Sequence, residues 1–129
     1  MIFQVPYWDV ANVWPRVSGC VQKALARQNE WRLTDMLEQI TSQRMQLWVV
    51  PWKIAVVTQV LTYPGARICM VVLCGGEGLA EHKDAFDEIE KWAGTIGCDE
   101  MRLQGRKGWQ RVYPGYEPIA TVIDRKSVV

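Results

Sequence analysis

The chain has 129 residues, 49% of them hydrophobic, and a formal net charge of +1. This is enough apolar material for a core in one domain spanning residues 1–129, and it excludes both a disordered polyelectrolyte and a protein whose overall charge recruits polyanions. No stretch approaches the ~18 consecutive apolar residues of a spanning helix, so no membrane segment is expected.

Met1 to Val5 alternates weakly and is expected as a first strand. Asn12 reads as an N-cap with Pro15 still inside the first turn, and Val13, Val17, Val21, Ala24 and Leu25 follow at helical spacing, predicting a helix over about residues 13–27. Thr34 and Asp35 open a shorter helix carrying Leu37 and Ile40. From Leu47 the period changes. Leu47 to Val50, Ile54 to Thr62 and Ala66 to Leu73 are rich in β-branched residues and separated by the turn signals Pro51-Trp52-Lys53 and Tyr63-Pro64-Gly65, so they read as an antiparallel meander.

After Leu73 come Cys74, Gly75, Gly76, Glu77 and Gly78, and then a helix over Ala80 to Ile96. Its apolar stripe is Ala85, Phe86, Ile89, Trp92, Ala93 and Ile96, and Gly97 supplies the stop. Cys98 to Leu103 fits a strand returning parallel to the one that ends at Leu73 through a right-handed crossover. Gly105 to Arg111 is expected as a short helix or turn and Ile119 to Ile123 as a last strand, with Arg125 to Val129 as a tail. The class is α+β, with a mixed, mostly antiparallel central sheet and flanking helices.

A strand that breaks at glycines and opens a helix places free N–H groups and the positive end of a helix dipole around one pocket, the usual layout of a phosphate site. Glu77 and Glu81 give that pocket the wrong sign. A carboxylate ~4–5 Å from a phosphate opposes binding by about 3–4 kcal/mol at an effective dielectric near 20, or two to three decades of affinity. The glycines have a simpler explanation in a helix that must start tightly after a buried strand.

Cys20, Cys69, Cys74 and Cys98 contain no C-x-x-C pair, and His82 is the only histidine, so no metal site is expected. Cys69 and Cys74 lie in an apolar run where a thiol behaves as a small hydrophobe, which suits a reduced intracellular protein. As bases, Glu77, Glu81 and His82 are the nominal candidates, although a histidine in the first turn of an acidic helix is expected to face solvent without an orienting partner.

Charge is unevenly spread. Glu77 to Lys91 carries six acids against two lysines, whereas Arg102 to Arg111 carries Arg102, Arg106, Lys107 and Arg111 with no acid. Of the seven tryptophans, Trp14, Trp48 and Trp92 fall on apolar faces and are expected in the core, while Trp8, Trp31, Trp52 and Trp109 fall at element edges or in loops. Trp109 with Arg106, Lys107 and Arg111 has the composition of a docking edge for a protein partner. Four basic charges are too few to argue for nucleic acid.

The order of elements resembles the GNAT acyltransferase fold over nearly the whole chain. Met45 to Val49, Val71 to Gly76 and Gly105 to Tyr116 are similar to short GNAT-like proteins encoded by tailed bacteriophages. In that family the turn after this strand usually reads Arg/Gln-x-x-Gly-x-Gly/Ala and holds the pyrophosphate of coenzyme A. Here Gly75, Gly76 and Gly78 stand near the right place, with no arginine or glutamine at the head and Glu77 inside. The resemblance also points to Tyr113, and less well to Tyr116, as the acid that protonates the leaving thiolate.

Two functions follow as expectations. The first is a non-catalytic GNAT-like virion component without a cofactor, contacting other phage virion proteins and located in the particle or in host cytoplasm before assembly. The second is an acetyl-CoA-dependent N-acetyltransferase acting on a protein or a small amine, with Gly75, Gly76 and Gly78 binding the cofactor.

Overall fold

The computed structural model describes residues 1–26, 30–82 and 84–103. Five strands, β1 (Phe3–Val5), β2 (Gln46–Val50), β3 (Ile54–Thr62), β4 (Arg67–Gly76) and β5 (Glu100–Leu103), form one sheet in the order β1-β2-β3-β4-β5. Strands β1 to β4 are antiparallel neighbours, and β5 lies parallel to β4, with Ile68 opposite Glu100 and Val71 opposite Leu103. The α+β class and the mostly antiparallel sheet are as the sequence predicts.

Helices α1 (Val10–Leu25) and α2 (Leu33–Thr41) cover one face, and α3 (Asp84–Thr95), which links β4 to β5, covers the other. The two-residue period of the strands sorts the core accordingly. Leu47, Val49, Ala55, Val57 and Leu73 pack with Val17, Val21, Met36 and Ile40. Trp48, Val50, Ile54, Val56, Cys69 and Val71 pack with Ala85, Phe86, Ile89 and Ala93. Because β2 and β3 are buried on both faces, they read in sequence as continuous apolar runs rather than alternating ones. Full burial of a side chain such as Phe86 or Met36 contributes about 1.5–3 kcal/mol.

Thr58 is the buried polar residue of this core. Trp48 Nε1 donates to Thr58 Oγ1 at 3.0 Å, and that hydroxyl donates to Gln46 Oε1 at 2.9 Å. The buried indole N–H and the Thr58 hydroxyl are thus both satisfied, and the indole of Trp48 is held for an edge-on contact with Trp92 at 5.2 Å.

Several boundaries differ from the expectation. Helix α1 begins at Val10, after a short 3-10 helix at Tyr7–Asp9, and Asn12 Nδ2 donates to Asp9 Oδ1 at 3.0 Å instead of capping the helix itself. Pro15 therefore lies beyond the first turn. At α2 the carboxylate of Asp35 accepts from the Arg32 N–H at 3.2 Å, so the acid reaches back to the start while Thr34 stays exposed. Strand β4 runs on through Gly76, and α3 starts at Asp84, preceded by a 3-10 helix at Leu79–His82. Gly97, at φ +84°, follows the end of α3 as predicted, with the Cys98 N–H bonding to Ala93 O at 2.9 Å. Asp99 then clamps the entrance of β5, since its N–H donates to Arg67 O and its carboxylate accepts from Arg67 N.

The elements expected at Gly105 to Arg111 and Ile119 to Ile123 lie outside the described residues. Among the described residues, no helix is long and apolar enough to cross a membrane, and no cluster of His, Cys, Asp or Glu is arranged to hold a metal ion.

Candidate functional site

The chemically distinctive part of the sheet is the C-terminal half of β4. Ile54 to Val57 pair with Gly76 to Leu73, whereas Thr58 already faces Val71, so Val72 is an extra residue and forms a β-bulge. Among the described residues, β5 pairs with β4 from Ile68 opposite Glu100 to Val71 opposite Leu103. From Val72 to Gly76 the edge of β4 that looks toward β5 has no strand partner among the described residues. A bulge bends its strand and re-aims the neighbouring backbone groups, and an unpaired edge presents N–H and C=O groups to whatever enters.

The glycines beyond the bulge have separate physical causes. Gly75 faces α1, where a Cβ would run into the backbone oxygen of Cys20 and lie 3.0 Å from Ala24 Cβ. Gly76 has φ +129°, and a Cβ there would collide with Lys53 O and approach Ile54 Cα to 2.8 Å. Both are strand residues, contrary to the expected turn. Gly78, at φ +74°, is the one of the three in the turn itself, and a Cβ on it would sit 3.4 Å from a carboxylate oxygen of Glu81. Close helix packing thus accounts for Gly75, and backbone conformation for Gly76 and Gly78.

Two N–H groups of the turn are already used. Glu77 N donates to Lys53 O at 2.9 Å and Glu81 N to Gly78 O at 3.0 Å. The carboxylate of Glu77 pairs with Lys23 Nζ of α1 at 3.2 Å, and its side chain is 84% exposed. At that exposure, screening by water weakens the repulsion that Glu77 would impose on a phosphate. Asp84 and Asp87 in the first turn of α3 interact favourably with its dipole.

His82 is half-buried rather than fully exposed. It lines a cavity of about 110 Å³ with Met1, Ile2, Val50, Asp84, Ala85 and Glu88, on the α3 side of the sheet. Burial pushes the thiols of Cys69 and Cys74 up to about 12, reinforced by Cys98 and Cys20 respectively. Burial likewise raises those of Cys20 and Cys98. Raised thiols of this kind are poorly ionised near neutral pH, which suits Cys69 and Cys74 to hydrophobic packing.

Trp48 is buried, and Trp14 and Trp92 pack against the core as predicted. Trp31, in the segment before α2 as expected, packs against the core, while Trp8 is 71% and Trp52 44% exposed. Tyr113, Tyr116, Trp109, Arg106, Lys107 and Arg111 lie outside the described residues. Sequence reasoning missed two elements of the site, Val72 and Lys23. A bulge has no residue signature in this run, and Lys23 is 54 positions from Glu77.

No protein-family model matches the sequence, and no curated protein matches it. Solved structures do. A GNAT family acetyltransferase from Staphylococcus aureus superposes with a TM-score of 0.63 at 12% identity, covering 98% of this chain and 98% of that one. The fold is GNAT-like. A ribosomal-protein-alanine N-acetyltransferase from Brucella melitensis gives a TM-score of 0.61 at 18% identity over 100% of this chain and 96% of that one. An aminoglycoside acetyltransferase from an uncultured soil metagenomic sample, in complex with sisomicin, gives 0.72 at 8% identity over 99% and 96%. At such identities the likeness concerns the fold, and the chemistry has to be argued from the site.

Proposed function

We propose that this chain is an acetyl-coenzyme A-dependent N-acetyltransferase acting on a primary amine of a protein or small molecule. The observation that carries the reading is the Val72 bulge, which bends β4 just before the glycine turn, where its β5-side edge has no strand partner among the described residues. When bound, acetyl-coenzyme A supplies an acyl group activated as a thioester. The N–H and C=O groups on the β5-side edge between Val72 and Gly76, without a strand partner among the described residues, suit the amide-bearing pantetheine arm, which can add to a sheet edge as a peptide strand does. An N–H re-aimed by the bulge suits the acyl oxygen, where a fixed donor stabilises charge that develops during attack. Gly78 and the start of the following 3-10 helix border the position for the phosphates.

Transfer requires the amine nitrogen to lose a proton as the N–C bond forms, and the sulfur to gain one as the C–S bond breaks. Tyr113 is the proposed acid, on resemblance alone. The raised thiols of Cys69 and Cys74 argue for direct attack by the amine rather than an acyl-cysteine relay.

A second reading is a non-catalytic component of a phage particle. It is favoured by the engaged N–H groups of Glu77 and Glu81 and by the exposed indoles of Trp8 and Trp52. The two readings separate in a thiol-release assay with acetyl-coenzyme A and a panel of amines, including a peptide N-terminus, a lysine peptide and a polyamine. Amine-dependent thiol release supports the enzyme. Release no faster than spontaneous hydrolysis with every amine rejects it.

A further inference from the structure

We infer that Lys23 is a phosphate-binding residue of this site, held in reserve by Glu77, and that coenzyme A binds by taking Lys23 away from that carboxylate. The inference rests on the acetyltransferase reading and adds to it a source for the positive charge that the turn itself lacks.

Helix α1 meets the end of β4 closely. Cys20 O and Ala24 border Gly75, so Lys23, between them in sequence, belongs to the stretch of α1 that packs on the strand just before the turn. Its ammonium ion reaches the turn itself, at 3.2 Å from Glu77 Oε1. Side-chain exposures of 61% for Lys23 and 84% for Glu77 make this a solvated pair, of a kind that contributes little to stability and exchanges readily. A diphosphate placed at the turn carries more charge than one carboxylate and offers several acceptor oxygens, so it competes favourably for the same ammonium.

Lys53, in the turn between β2 and β3, adjoins the same corner through its backbone. Its carbonyl accepts from the Glu77 N–H, its residue is exposed, and among the described residues it makes no ion pair. The corner at Gly76 and Glu77 is therefore flanked by two lysines from different elements, one of them neutralised by an acid within the turn. In the free protein Glu77 neutralises Lys23. In the complex its carboxylate returns to water.

Calorimetric titration of the intact chain with coenzyme A and, separately, with pantetheine, which lacks the phosphates, tests this. Lys23→Gln is expected to weaken coenzyme A about tenfold, the worth of one hydrogen bond from a charged donor, and to leave pantetheine unchanged. Lys23→Arg is expected to restore affinity. Glu77→Gln is expected to tighten coenzyme A about threefold by freeing Lys23. Added salt should weaken the wild type more than Lys23→Gln. If the wild type binds coenzyme A and Lys23→Gln binds it equally well, the role of Lys23 is refuted while the acetyltransferase reading stands. Equal weakening of coenzyme A and pantetheine in Lys23→Gln refutes it too, since that marks a general structural effect. A wild type that binds neither ligand overturns both claims.

Discussion

Gly75→Ala tests whether the end of β4 is shaped by its contact with α1. The added methyl meets the backbone oxygen of Cys20, Ala24 Cβ at 3.0 Å and Ala24 N at 3.2 Å. Backbone atoms cannot rotate away as a side-chain tip does, so α1 must move off the strand. Overpacking usually costs about 1–3 kcal/mol, and a rigid partner puts this site at the upper end, about 3 kcal/mol. For a chain of this length that lowers Tm by roughly 10–15 °C. Gly19→Ala in α1 and Gly94→Ala in α3 are the controls, because a Cβ at either position meets nothing within 4 Å. Each should stabilise by about 0.4–1 kcal/mol through reduced freedom of the unfolded chain. Thermal and urea unfolding followed by far-ultraviolet circular dichroism read all three. A Gly75→Ala variant with the wild-type Tm, or one no worse than Gly19→Ala, would refute the argument.

Thr58→Val leaves the Trp48 indole N–H and the Gln46 carbonyl without their partner, and should cost about 2 kcal/mol in urea unfolding; a neutral result would mean that water replaces the hydroxyl. Phe86→Ala empties the centre of the α3 face and should cost about 3–5 kcal/mol, measured the same way, with a value below 1 indicating a core that closes over the gap. The Cys69 thiol is raised in the folded state to about 12 from an ordinary 9.0, so the unfolded chain loses its proton first as pH rises. Its stabilising effect is complete below pH 9.0 and is lost between there and about 12, at up to ~1.4 kcal/mol per pH unit. Unfolding at a series of alkaline pH values should therefore show a steeper decline for the wild type than for Cys69→Ala, and parallel declines would contradict the burial argument.

The meander, α3 and the parallel return of β5 were legible in the sequence because each rests on local signals: β-branched runs between turns, an apolar stripe at helical spacing, and a stop at Gly97. What was not legible depends on contacts between distant segments. Gly75 and Gly76 read as a phosphate turn, yet Gly75 is required by the approach of Cys20 and Gly76 by that of Lys53. The Val72 bulge appears only when β3 and β4 are laid in register. Glu77 looked like an unopposed acid because its partner Lys23 lies on another element. Sequence order thus exposed the architecture, whereas the electrostatics of the site followed from tertiary placement.

Amide hydrogen exchange with and without acetyl-coenzyme A tests the central claim, that the β4 edge beyond the bulge receives the cofactor. The account predicts added protection in peptides covering Val72 to Gly78, with little change in β1 and β2, whose backbones lie away from that edge. Unchanged exchange across Val72 to Gly78 at millimolar acetyl-coenzyme A would contradict it.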